Sequence, residues 1–209
     1  MDTLSRLIDA LRCLPGVGPK SAQRMAFHLL QHQRPRGLHL ASSLEAAMQT
    51  VRHCAQCNNY TDHTLCQLCQ NTEREQHILC VVESPADVFA IEQSHAHTGQ
   101  YYILMGKISP LDGIGPEDIA LEGLKMRIAS GHISEVILAL SPTVEGQTTI
   151  HFIQSLLKSY DITISQPAHG LPIGGEIEYL DGHTINRALS NRRQIANLAA
   201  SLIELPEHS

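Results

Sequence analysis

Tryptophan is absent from this 209-residue chain, and aromatic side chains of any kind make up only 4% of it. That scarcity excludes the stacked aromatic platforms on which single-stranded nucleic acid is usually held. Long apolar runs are missing too. No segment approaches the roughly 18 uncharged apolar residues needed to span a bilayer. Met1–Leu14 mixes Asp2, Arg6, Asp9 and Arg12 among its apolar residues, unlike a secretory leader. A cytoplasmic chain without membrane contact is expected. In that compartment six cysteines do not read as disulfides and ask for a metal or for free thiols. An excess of positive charge is also lacking: the net charge is −6.

By segment the charge tells a different story. Residues 1–52 hold seven Lys/Arg (Arg6, Arg12, Lys20, Arg24, Arg34, Arg36, Arg52) against three acids. Residues 77–175 hold four basic and ten acidic residues. A basic head on an acidic body lets one end meet phosphate while the other avoids it. Hydrophobic residues make up 43%, enough for a proper core. The length fits one medium core with small modules attached.

The apolar pattern divides the chain. Leu4, Leu7, Ile8 and Leu11 recur at helical spacing, and a second helix follows Leu14-Pro15-Gly16-Val17-Gly18-Pro19, with Ala22, Met25, Ala26, Leu29 and Leu30 as its stripe. Pro35-Arg36-Gly37 predicts a loop, and a third helix runs from about Leu40 to Val51 with Leu44, Ala47, Met48 and Val51 inward. Residues 53–76 have no period. From His77 strands and helices alternate: strands at 78–82, 101–104, 136–140 and 162–164, helices at about 85–94, 116–130 and 147–159. Alternation of this kind implies a mostly parallel sheet covered by helices. A short strand at 176–180 and a helix at 183–189 end the chain. The fold class is therefore α+β and multi-modular: a helical hairpin region (1–52), a small cysteine module (53–76), an α/β domain (77–175) and a strand–helix tail (176–209).

Gly16 and Gly18 let a backbone approach a ligand with no Cβ in the way, and the helix start behind them aims free N–H groups at an anion. Lys20 and Arg24, four residues apart, share the face opposite the apolar stripe. Such a group suits a DNA phosphate, read without sequence preference. An ordinary hairpin with a solvated basic face is the alternative. The run from Leu14 to Arg24 resembles the helix-hairpin-helix of DNA-repair proteins, which favours Gly16, Gly18, Lys20 and Arg24 as DNA contacts.

Cys54-x2-Cys57-x8-Cys66-x2-Cys69 carries two knuckles that can each place two thiolates on one tetrahedral zinc ion. The polar residues between them cannot form a core, so the metal supplies the stability. Redox pairs or disulfides are the alternative. A catalytic zinc is excluded by four thiolates, which leave no open position. His53 and His63 read as neighbours of the site, Cys13 and Cys80 as small core hydrophobes. The module and the α/β domain are expected to have separate cores.

Glu83 follows the first strand of the α/β domain, and Ser141-Pro142-Thr143-Val144-Glu145-Gly146 follows the third. Both loops belong at the carboxyl edge of a parallel sheet, where such folds place their sites. The arrangement resembles the Toprim domain of topoisomerases and primases, in which a Glu and a later Asp-x-Asp hold Mg²⁺. Here the second motif is Thr143-Val144-Glu145. Glu83 and Glu145 could supply two carboxylates for weak Mg²⁺ binding, or be vestigial acids that meet a partner.

Hairpin, four-cysteine module and degenerate Toprim in this order resemble the RecR family over essentially the whole chain. Val82–Asp87, Gly106–Pro116 and Gly170–Tyr179 agree as well. Gln147 and Gln166 depart from the family's usual Glu and Arg. The resemblance implies a DNA-binding, non-catalytic scaffold of recombinational repair that acts with RecO and RecF to load recombinase at gapped DNA. It also implies a homo-oligomer, a dimer or tetrameric ring. Leu4, Leu7, Leu11 and Leu29 are candidates for one interface, and Arg187, Arg192 and Arg193 for another. A Mg²⁺-dependent Toprim nuclease or primase-like enzyme is the alternative, and a pure protein adaptor a third.

Overall fold

A computed structural model describes residues 1–168 together with 182, 184 and 185. The expected tail strand and helix, with Arg187, Arg192 and Arg193, lie outside the described residues.

Three helices open the chain: α1 (Thr3–Leu11), α2 (Pro19–His32) and α3 (Arg34–Thr50). The Asp2 carboxylate caps α1, accepting from the Ser5 N–H at 2.7 Å. Gln33 alone separates α2 from α3. The loop expected at Pro35-Arg36-Gly37 is thus the first turn of α3. Proline is tolerated there because first-turn amides have no partner inside the helix to lose. A Cβ on Gly37 would stand 3.7 Å from Leu29 Cβ, an ordinary contact, so the packing of α3 on α2 does not itself require glycine there.

The burial expected for this unit is a second point of difference. Among residues 1–50 only Ala22 and Ala26 are fully buried. Met25, Leu44 and Met48 are exposed, and so is Val51 just beyond α3, so the face of α3 read as inward is open in the single chain.

A two-stranded antiparallel ribbon follows, β1 (Arg52–His53) with β2 (Tyr60–Thr61), and then the one-turn helix α4 (Gln67–Gln70). The α/β domain comprises β3 (Glu75–Val82), α5 (Pro85–Ser94), β4 (Gly99–Ile103), α6 (Leu121–Ala129), β5 (Glu135–Leu138), α7 (Val144–Leu157) and β6 (Thr163–Ser165). Its sheet is parallel throughout, in the order β4-β3-β5-β6. Alternation along β3 sends Leu79 and Val81 into the larger core with Leu124, Ile128, Val136, Leu138, Ile153 and Leu157. Cys80 and Val82 face the other way, onto Val88, Tyr101 and Ile103. Each fully buried aliphatic side chain here contributes about 1.5–3 kcal/mol.

Two helix starts differ from expectation. Residues 116–118 form a separate 3-10 turn before α6, because Ile119 is extended and the Ala120 N–H pairs with Leu104 O of the chain leaving β4. Helix α7 begins at Val144, three residues early, because the Thr143 hydroxyl caps it by accepting from the Gly146 N–H at 3.2 Å. Among the described residues no helix is long and apolar enough to cross a membrane.

Candidate functional site

The α1–α2 turn closes through Val17 N–H to Leu14 O at 3.1 Å. Gly16 adopts φ +77, the left-handed region that glycine enters without steric cost. Gly18 is the cap residue of α2 and offers it no side chain, so no side-chain hydrogen bond covers that helix start. The space where a Cβ would stand is open at both glycines. Lys20 and Arg24 are exposed, while Ala22 and Ala26 bury the opposite face of α2. A shallow groove along the exposed face is lined by Lys20, Gln23, Arg24, Phe27, His28 and His32. The four residues expected to meet DNA therefore form one exposed surface: a bare turn, an uncapped positive helix end and two cations.

The four cysteines converge. The sulfurs of Cys54, Cys57, Cys66 and Cys69 all lie within 4.8 Å of one another, with Cys57 and Cys66 at 3.5 Å. Tetrahedral zinc–thiolate bonds of about 2.3 Å imply sulfur–sulfur edges of about 3.8 Å, so the donor set fits. Asn58, at φ +66, turns the first knuckle, and the Cys66 N–H points at Cys54 Sγ at 3.3 Å. Crowding makes the thiols compete for protons. Hydrogen bonds to Cys66 and Cys57 push Cys57 and Cys69 up, and the hydrogen bond from Cys57 pushes Cys66 down. A bound dication ends that competition by accepting four thiolates. His53 and His63 are exposed and outside the cluster: His53 pairs with Asn58 O and His63 stands beside Asp62. Cys80 is buried, and desolvation pushes its thiol up to about 12. Cys13 is exposed, contrary to its reading as a core residue, because α1 has already ended at Leu11.

The cysteine module is not a separate core. Leu68 of α4 packs both among the cysteines and against the α5 side of the sheet. The module also covers the edge strand β4: Ile103 N–H donates to Cys57 O at 2.9 Å and the Asn58 amide donates to Ile103 O at 2.8 Å. An edge strand has unpaired backbone groups to satisfy, and this module satisfies those of Ile103. A second tie is Arg74. Its guanidinium grips both Glu92 oxygens at 2.8 and 3.1 Å, and Tyr101 donates to the same carboxylate at 2.7 Å. This trio was not singled out from the sequence, where nothing marks residues 18 apart as partners.

The acids sit at the carboxyl edge of the sheet, in a different setting from the one expected. Glu83 Oε1 accepts from Ser141 N–H at 2.7 Å and Oε2 from the Ser141 hydroxyl at 3.1 Å. Glu145 lies in the first turn of α7 rather than in a loop. Its carboxyl is held below the usual range by its own backbone N–H, then by Thr143 and Lys107. Lys107 Nζ is 3.4 Å from Thr143 Oγ1 and 3.9 Å from Glu145 Oε2. Gly146 is wedged beneath, where a Cβ would collide with the Ser141 carbonyl. Mg²⁺ demands octahedral oxygens at about 2.0–2.1 Å. With Lys107 already at Glu145 and Thr143, Thr143 capping a helix and Glu83 holding Ser141, the edge as folded does not fit it.

Comparison with known proteins agrees with this order of parts. Four family models match: RecR helix-hairpin-helix over residues 4–48, the RecR four-cysteine zinc finger domain over 51–71, Toprim domain over 77–168, and RecR C-terminal over 170–193. The four cysteines are thus those of a structural zinc centre. Relatives include the recombination protein RecR of Legionella pneumophila strain Philadelphia 1, 69% identical over 195 residues, covering 93% of this chain and 98% of the relative. Its counterpart in strain Corby is 69% identical over the same length, covering 93% of this chain and 99% of the relative. The chain belongs to the RecR family of recombination proteins.

Proposed function

We propose that this chain is a non-catalytic DNA-binding scaffold of recombinational repair, acting in the bacterial cytoplasm with RecO and RecF to promote recombinase loading at gapped DNA. The observation that carries the reading is the α2 surface. Lys20 and Arg24 stand beside a bare glycine turn and an uncapped helix start, on the face opposite the buried Ala22 and Ala26. Phosphate is the ligand that uses every part of that surface. Residues 1–52 form the DNA-binding unit, 53–76 the zinc module with Cys54, Cys57, Cys66 and Cys69 as ligands, 77–175 the Toprim domain and 176–209 an oligomerisation tail. The uncovered apolar faces of α1 and α3 support assembly into a dimer or tetramer. Glu145 and the acids around it favour a basic partner surface, for which RecO is the candidate. Such contacts set partner choice and association rate.

The test is a labelled gapped duplex incubated with the zinc-loaded protein and Mg²⁺ or Mn²⁺. Retarded but intact DNA is expected. Cleavage or synthesis that vanishes in Glu83→Ala replaces this reading with a Toprim enzyme, and failure to bind any duplex replaces it with a protein adaptor.

A further inference from the structure

We infer that the Lys107 ammonium takes the place of the divalent cation at the acid edge of the α/β domain, so that this edge is complete without metal. The inference rests on the non-catalytic reading of that edge and adds what neutralises it.

The lysine is placed by its neighbours. Gly106 N–H donates to Glu83 O at 3.0 Å, tying the loop to the end of β3. Ile108 N–H donates to Thr149 Oγ1 at 2.9 Å, tying the same loop to α7. Thr149 is fully buried and its hydroxyl donates in turn to Glu145 O at 2.8 Å. Residue 107 is thus clamped on both sides to the two segments that carry the acids. Met105, at φ +59, turns the chain into this clamp. Ile108 and Ser109, just beyond it, are buried, so the loop is part of the packed structure.

From that position the ammonium faces Thr143 and Glu145, the motif that in a catalytic Toprim would ligate metal. A fixed cation and a hydrated dication compete for the same carboxylate field, and the tethered one needs no free ion. The remaining acid groups are engaged within the chain. Glu83 holds Ser141, and Asp112 accepts from the Ser109 hydroxyl at 2.6 Å. Of these three acids, Glu145 is the one that faces a cation.

The test counts bound Mn²⁺ on the zinc-loaded full chain from the electron paramagnetic resonance signal of the free ion, because Mn²⁺ does not displace zinc from thiolates. Wild type is expected to bind none at this edge up to millimolar Mn²⁺, and its melting temperature should be the same with and without the ion. Lys107→Met should melt lower and gain one Mn²⁺ per chain, at least about tenfold tighter than wild type. Adding Glu145→Gln should abolish the gain. Lys107→Arg, which keeps the charge, should bind none, and Lys107→Gln, which removes the charge but keeps a polar end, should gain the ion and decides the matter if Lys107→Met does not fold. Wild-type binding of one Mn²⁺ that Glu145→Gln abolishes overturns the inference. So does a Lys107→Met chain that binds none and melts like wild type. Mn²⁺ binding without DNA cleavage overturns this inference and leaves the scaffold reading standing, whereas cleavage overturns the scaffold reading itself.

Discussion

Ser141 turns both its N–H and its hydroxyl to Glu83, and that pairing closes the gap between the loops leaving β3 and β5. Glu83→Ala strands both donors in a half-buried place. The expected cost is about 1–3 kcal/mol, read as a lower denaturant midpoint, with DNA affinity unchanged because the hairpin lies in a different module. The Glu92 carboxylate predicts a pH effect. Burial raises its pKa, but the grip of Arg74 and the Tyr101 hydroxyl outweigh burial and leave it lowered. A carboxylate lowered in the folded state contributes stability above its ordinary range and loses it as pH falls through the folded value. Wild type should therefore melt higher than Glu92→Gln at neutral pH, by the equivalent of about 2–3 kcal/mol. The difference should shrink to nothing as the pH drops below the folded value. A constant difference across that range would contradict the assigned role. The sequence announced Glu83 through its place after a strand, but not Ser141 or Lys107, because such contacts depend on how three separate loops meet.

The zinc module and β4 act as one element. Cys57 supplies a sulfur to the metal and its own carbonyl to Ile103, so loss of zinc reaches the sheet. Cys57→Ser should release the metal, make residues 53–76 sensitive to protease, and speed amide exchange along β4 while β5 stays protected. Equal protection of β4 with and without zinc would show the module to be a detachable appendage, as its spacing alone suggested. Element type was largely legible in this chain. The continuous apolar runs of β3 and β5 and the two Cys-x2-Cys pairs carry their meaning in a few adjacent residues. Boundaries were less legible. Pro35 and Gly37 read as a loop and sit in a helix, since a first helical turn tolerates the missing donor of the proline. Thr143 read as a failed metal ligand and serves as a helix cap, two uses of one hydroxyl that only the backbone angle separates.

At the scale of the whole molecule, the N-terminal helices are too thinly packed to stand alone. Leu4, Leu44 and Met48 are exposed in the single chain, as is Val51 where α3 ends, and two buried alanines are a meagre core for a small unit. The proposed assembly has a second copy cover that face, and light scattering at micromolar concentration should give a dimer or tetramer. A strict monomer would leave the apolar face unexplained. On the proposed reading, the separation of charge lets the basic hairpin meet DNA while the acidic α/β domain stays away from it. The most direct test is the salt dependence of DNA affinity, compared between wild type and Lys20→Ala with Arg24→Ala by fluorescence anisotropy on unrelated duplexes. Losing two phosphate contacts should weaken binding to a similar degree on every sequence and lower the slope of log affinity against log salt by about 0.9 per contact. An unchanged affinity and slope would contradict the account, because the basic face of α2 would then be solvated surface and DNA, if bound, would be held elsewhere.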